Sequence, residues 1–260
     1  MTKRRDAFNP HTGELLAHLP NISLNCTIIA FHEKKLKVLL NTFRGFDKWF
    51  LPGGFVRKEE DLNDAISRIF TVHTGLRDVF MKQFAVFGDL NRLSREESEQ
   101  LCRCIDINPE KGSWLSHRFM AIAYYAFVKH EKVSKLEKKA EEDINWFAID
   151  ELPPLYGDHQ NIIKEAIQSM RLQLGYIPVG YELLPPKFTM PELRIIYETI
   201  LGRELDRRNF KRKVLSTGCV YPLNERKKVG AHKSPNLYGF DAAKYQAAKE
   251  EGFLVTLANM

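Results

Sequence analysis

A chain of 260 residues, 44% hydrophobic and 28% charged, has the composition of a globular protein with room for two modest domains. No apolar run approaches the roughly 18 residues that cross a bilayer, which argues against a membrane span. The net charge of +6 is concentrated in one block: from Arg203 to Lys233 ten Lys/Arg face three acids, a net of +7, leaving −1 for the rest of the chain. Such a block is a footprint for a polyanion rather than a generally basic surface.

In chain order, residues 1–19 predict a mobile leader; the basic start lacks the apolar core of a signal peptide. Ile22 to Phe31 and Leu36 to Thr42 predict two strands joined by the polar turn His32 to Lys35, a hairpin. A loop carrying Arg44, Lys48 and Trp49 leads into Leu51-Pro52-Gly53-Gly54, read as a glycine loop feeding a helix. Ala65, Ile66, Ile69, Phe70 and Val72 recur at helical spacing, Asp61 or Asn63 is the candidate cap, and Gly75 closes the helix. Val79 to Asp89 and Phe119 to Val128 predict strands, and Leu90 to Ser116 between them an irregular insertion, a candidate lid or dimer contact. Lys132 to Glu142 predicts a solvated helix or loop, and Ile144 to Ile149 a last strand. Asp158 is the expected cap of a helix from His159 to Leu172.

Gly175, Pro178, Gly180, Pro185 and Pro186 predict a linker over 173–188. Beyond it, Thr189 and Pro191 open a helix ended by Gly202, and Asp206 caps a second, basic helix ended by Gly218. Two short strands around the basic turn NERKKVGAHKSPN follow. Helix, glycine turn, basic helix and basic hairpin together predict a winged helix-turn-helix. Arg208, Lys211 and Arg212 are candidates for the major groove, and Asn209 for an adenine edge. Arg207 and Lys213 are assigned to phosphates, and Arg226, Lys227, Lys228, His232 and Lys233 of the wing to backbone or minor groove.

The stretch from Gly53 to Leu76 resembles the signature of the Nudix pyrophosphohydrolases. Gly54, Glu60, Arg68, Phe70, Gly75 and Leu76 fall on its positions. Where that family carries its metal-binding glutamates this chain has Ile69, Val72 and His73, so the resemblance comes without the oxygen ligands that magnesium takes, and no metal or cofactor is expected. With the winged helix, the order resembles the Nudix-related transcriptional regulators, the NrtR-like group and its sugar-responsive relatives. That resemblance implies an α+β chain: a Nudix-like α/β/α sandwich with a mixed sheet over 20–172 and a winged helix over 189–260.

It also implies a cytoplasmic homodimer on a palindromic DNA operator. The first domain is then a non-catalytic sensor of a sugar, sugar phosphate or ADP-ribose-like effector. Arg44, Lys48, Trp49, Gly53, Gly54, Glu60, His73 and Arg118 are candidates to line its cleft, Arg118 because these regulators often carry an arginine there. The loss of the metal ligands favours a free sugar or sugar phosphate over ADP-ribose. The competing reading is an active hydrolase of ADP-ribose-like nucleoside diphosphates.

Overall fold

The computed structural model describes residues 17–104, 118–133, 142–174, 180–227 and 234–251. The chain divides into two compact units. The first takes Ile29 and the described residues before it, Val38–Ala126 and Glu131–Ala166. The second takes Ala30–Lys37, Phe127–His130 and the described residues from Ile167 onward.

Strands β1 (His18–His32) and β2 (Lys35–Phe43) form the expected hairpin. Glu33 and Lys34 both take positive φ, 51° and 63°, which matches the right-handed twist of the strands leaving the turn. Strand β3 (Gly53–Arg57) pairs antiparallel with β1, with Gly54 opposite Leu24 and Gly53 opposite Asn25. The expected glycine loop is therefore a strand. A β-carbon on Gly53 would lie 2.8 Å from the Leu24 carbonyl oxygen, so only glycine lets the two backbones meet. Strands β4 (Met81–Phe87), β5 (Met120–Phe127) and β6 (Glu142–Ala148) complete a six-stranded sheet, order β4-β5-β1-β2-β6 with β3 on β1.

Helix α1 (Leu62–Thr74) follows β3 and ends at Gly75, φ 71°. It buries Ala65, Ile66, Ile69 and Phe70 as the periodicity predicts, whereas Val72 is 52% exposed and lies off that face. The insertion is not wholly irregular. Arg95–Cys104 form helix α2, with Leu101 and Cys102 buried; residues 105–117 lie outside the described residues. Of the charged segment before β6, His130–Val133 form the single-turn helix α3, and 134–141 are outside the described residues.

Helix α4 (His159–Gln173) starts where expected, but the Asp158 carboxylate does not cap it. It accepts both Nε (3.0 Å) and Nη2 (2.8 Å) of Arg92, whose side chain is 4% exposed and also donates to the Phe119 carbonyl at 3.2 Å. A buried guanidinium needs a bidentate counter-charge more than a helix end needs a side-chain acceptor.

In the second unit the expected linker is partly structured. Gly180–Leu183 form the short helix α5 and Phe188–Thr189 the strand β7; 175–179 lie outside the described residues. Helix α6 (Met190–Leu201) ends at Gly202, φ 69°, and helix α7 (Arg207–Ser216) begins after the Asp206 cap. Strands β8 (Val220–Arg226) and β9 (Asn236–Phe240) pair antiparallel, and β7 adds to β9, giving the order β7-β9-β8. Phe188, Ile196, Ile200 and Phe210 are fully buried, and the Tyr197 and Phe210 rings meet edge-on at 5.3 Å. Helix α8 (Ala242–Glu251), which the sequence pattern did not reveal, stacks Tyr245 on Tyr181 at 4.0 Å and donates its phenol to Glu182 at 2.9 Å. All four cysteines are free thiols, and among the described residues no helix is long and apolar enough to cross a membrane.

Two stability predictions follow from the first unit. Asp158→Ala strands the buried Arg92 charge and is expected to cost about 3–5 kcal/mol, read from urea midpoints. His159 is buried, and its Nδ1 accepts the Leu51 N–H at 2.9 Å; burial first, and the Arg92 guanidinium second, push its pKa down to about 3. Unfolded, the imidazole titrates near 6.5, so between 6.5 and about 3 the unfolded chain binds one proton more than the folded chain. Stability is complete above 6.5 and is lost as pH falls through that window, at about 1.4 kcal/mol per pH unit from this group. Urea midpoints between pH 7 and 5 should therefore fall less steeply in His159→Gln than in the unsubstituted chain.

Candidate sensor site and nucleic-acid interface

The strand β3 to helix α1 junction is held by one ion pair. Glu60 accepts Arg68 Nε at 3.0 Å, takes a second, shorter bond from Arg68 Nη2, and accepts the Arg57 N–H at 2.8 Å. Arg68 also donates to the Phe55 carbonyl at 2.8 Å. The Arg68 bond is the main reason the Glu60 carboxyl sits below its ordinary pKa. Glu60 is thus a framing residue. It ties the turn after β3 to the helix through Arg57 and Arg68.

Beside this frame, Gly53, Gly54 and His73 come together. His73 is buried and its Nε2 donates to the Gly53 carbonyl at 3.2 Å. A β-carbon on Gly54 would stand 3.0 Å from Ile69 Cγ1, so hydrocarbon lies against the backbone at the first of the glutamate positions. The exposed Val72 and the hydrogen-bonded His73 fill the other two. Magnesium, which takes oxygen ligands in near-octahedral geometry, does not fit these three residues. Among the described residues no group of three His, Cys, Asp or Glu stands where it could hold a metal ion.

The other sensor candidates are more dispersed. Lys48 forms an ion pair with Glu97 of α2. Trp49 packs edge-on against Phe147 with ring centroids 4.7 Å apart, and its backbone exchanges bonds with Pro154 and Tyr156 at 3.0 Å each. It serves the core rather than an open stacking surface. Arg44 is exposed in the turn ahead of it. Arg118 is also exposed, and its guanidinium donates to the Gly88 carbonyl just after β4. Sequence reading missed α2 as a wall of this region, although Leu101 and Cys102 in an otherwise charged stretch were a signal for it.

In the second unit the turn between α6 and α7 is gripped from one helix. Glu198 accepts Arg194 Nη1 and the Leu205 N–H, both at 2.8 Å, while Arg194 Nη1 donates to the Leu205 carbonyl at 3.1 Å. Both backbone groups of buried Leu205 are satisfied by this i, i+4 pair, which fixes where α7 begins. The pair was legible by spacing; its target was not.

Helix α7 buries Phe210 and Val214 and leaves Arg207, Arg208, Lys211 and Arg212 exposed. Its cap Asp206 accepts the Asn209 N–H at 2.9 Å, Arg212 Nη2 donates to Asn209 Oδ1 at 3.0 Å, and Lys211 Nζ stands 5.9 Å over the Tyr238 ring of the wing. Lys213 is half-buried on the helix flank. At the wing base, Lys227 pairs with Glu192 of α6 at 2.6 Å, and that carboxylate also accepts the Thr189 N–H at 2.7 Å and hydroxyl at 2.8 Å. Burial alone would raise the Glu192 carboxyl; the Lys227 and Thr189 donors outweigh it and hold the group below its ordinary pKa. Arg226 is exposed at the end of β8, and Lys228, His232 and Lys233 lie outside the described residues.

Comparison with known proteins agrees with both halves. Residues 24–168 match the NUDIX domain, and residues 180–240 match the NrtR DNA-binding winged helix domain. The "ADPR responsive transcriptional repressor NtrR" of Acinetobacter baylyi is 24% identical over 233 residues, covering 87% of this chain and 84% of its own. The crystal structure of Shewanella oneidensis NrtR complexed with a 27mer DNA superposes with a TM-score of 0.64 at 20% identity, covering 86% of this chain and 95% of that one. A MutT/nudix family protein from Enterococcus faecalis superposes with a TM-score of 0.60 at 20% identity, covering 86% and 87%. At those identities the superpositions speak for the fold, a Nudix domain followed by a winged helix. With the NUDIX domain spanning more than half of its length, this chain belongs to the Nudix family, as a member of the branch that carries an NrtR-type winged helix.

Proposed function

We propose that this chain is a cytoplasmic transcriptional repressor that binds a palindromic DNA operator as a homodimer and is controlled by a nucleoside diphosphate sugar of the ADP-ribose type bound to its Nudix domain. The observation that carries the reading is the exposed cationic face of α7, with Arg207, Arg208, Lys211 and Arg212 presented by a helix whose start is pinned through Leu205. Such a face supplies phosphate contacts and guanidinium donors suited to base edges in the major groove. A two-fold dimer matches two half-sites by symmetry.

The Nudix domain acts in this reading as a sensor without hydrolysis. The residues in place of the glutamates do not fit magnesium, so an effector is held and released intact. ADP-ribose is preferred to a free sugar because the Acinetobacter relative is named for its response to it. The genes controlled are those of nucleotide-cofactor or sugar metabolism. Repression and release require only that the effector bind the DNA-competent and DNA-incompetent states unequally.

The test is fluorescence anisotropy with labelled duplexes from upstream of the chain's own gene. Binding is expected to weaken steeply with salt, by a slope of about 0.9 per phosphate neutralised. ADP-ribose is expected to shift the affinity where pentoses, hexoses and their phosphates do not, and to be recovered unhydrolysed after incubation with magnesium. Magnesium-dependent turnover of ADP-ribose would return the chain to the hydrolases, and a response to a free sugar alone would reassign the effector. Glu198→Ala is expected to free the Leu205 N–H, cost about 1–3 kcal/mol of stability, and weaken DNA binding although it touches no DNA.

A further inference from the structure

We infer that Asn209 is a positioning residue for Arg212, that the pair reads one guanine in the major groove, and that Asn209 does not itself read adenine. The inference rests on α7 being the DNA-reading helix, and it concerns which base that helix selects.

Phe210 and Val214, one turn apart, define the buried side of α7. Arg212 follows Phe210 and precedes Val214 by two residues, which places it about 160° around the helix from each. It projects from the side opposite the core, where a groove floor is met first. Arg207 and Lys211 lie closer to the buried side, and Lys211 leans toward the Tyr238 ring.

Asn209 is held from two directions. Its backbone N–H is taken by the Asp206 cap at 2.9 Å, which locks the first turn. Its amide oxygen accepts Arg212 Nη2 at 3.0 Å across the i, i+3 spacing. An asparagine that reads adenine turns both its oxygen and its NH2 to the base, one accepting from N6 and the other donating to N7. Here the oxygen faces the guanidinium instead. Arg212 has five N–H groups and spends one on Asn209, so a bidentate pair remains for guanine O6 and N7. The bond also removes part of the rotamer freedom that an exposed arginine would otherwise lose on binding.

The experiment is selection from a randomised duplex library by the full-length chain, followed by single-base replacement in the selected sequence. One guanine per half-site is expected to show about tenfold discrimination. Asn209→Ala and Arg212→Ala should each flatten the preference at that same position, and the double variant should lose no more than the Arg212→Ala single. Asn209→Asp keeps an acceptor for Arg212, so it should bind more weakly overall yet retain the guanine preference. A purely structural role for Asn209 would lower affinity without changing which base is preferred. The inference is overturned if Asn209→Ala abolishes an adenine preference elsewhere and leaves the guanine untouched, or if the effects of the two single variants are independent. If the unsubstituted chain selects no sequence at all, the DNA-binding function itself falls, and this inference with it.

Discussion

The first unit depends on how the segment Trp49–Pro52 is sewn into its surroundings. Trp49 exchanges backbone bonds with Pro154 and Tyr156, Leu51 donates to the buried neutral imidazole of His159, and the Pro52 carbonyl accepts the Cys26 N–H at 2.8 Å. Four bonds from four residues tie strand β1, the turn before α4 and the start of α4 to one short extended stretch. That stretch delivers Gly53 and Gly54 to β1. The bare backbone there lets β3 lie tight against Leu24 and lets Ile69 of α1 close over Gly54. A buried imidazole serves as the acceptor because, kept neutral, it accepts a backbone N–H without bringing an unpaired charge into the core.

The same frame shows that the shape of the Nudix strand–turn–helix unit does not depend on the glutamate positions of the signature. Glu60 and Arg68 keep the geometry of the strand–turn–helix unit, and neither needs a metal to do so. The positions that face the glycines hold hydrocarbon and a hydrogen-bonded histidine. Geometry and metal chemistry are separable here because they rest on different residues of the turn and helix. Glu60 and Arg68 hold the helix to β3, while Ile69 and His73 stand beside Gly54 and Gly53.

The second unit uses a comparable device at smaller scale. Arg194 and Glu198, one turn apart on α6, hold both backbone groups of Leu205 and thereby set the start of α7. The wing is tied down by charge, Lys227 to Glu192 and Lys187 to Glu225 at 2.7 Å. Lys227 of the basic block is paired within the unit, and among the described residues four exposed cations, Arg207, Arg208, Lys211 and Arg212, stand together on α7. The two pairs together leave the net charge of the block unchanged, so what a polyanion meets depends on how α7 presents its exposed cations rather than on the sum.

Periodicity and punctuation were enough to place most strands and the amphipathic helices α1, α4, α6 and α7, but not β3, α2, α5, β7 or α8, because an apolar face at 3.6 or 2.0 residues records only what a longer element must bury. The glycine stops at Gly75 and Gly202 and the caps before α6 and α7 were legible for the same local reason. The Nudix-like box and the basic helix were legible as spacings, and so was the replacement of the three glutamates. What needed the tertiary structure were the partners chosen across long sequence distances. Asp158 gives up a cap to neutralise Arg92, 66 residues earlier. Gly53 and Gly54 become a strand because β1 lies beside them. Trp49 turns to Phe147, Lys48 to Glu97 and Lys227 to Glu192. Each is decided by which unsatisfied charge, backbone group or ring surface lies nearest once the chain has folded, and local sequence carries no record of that.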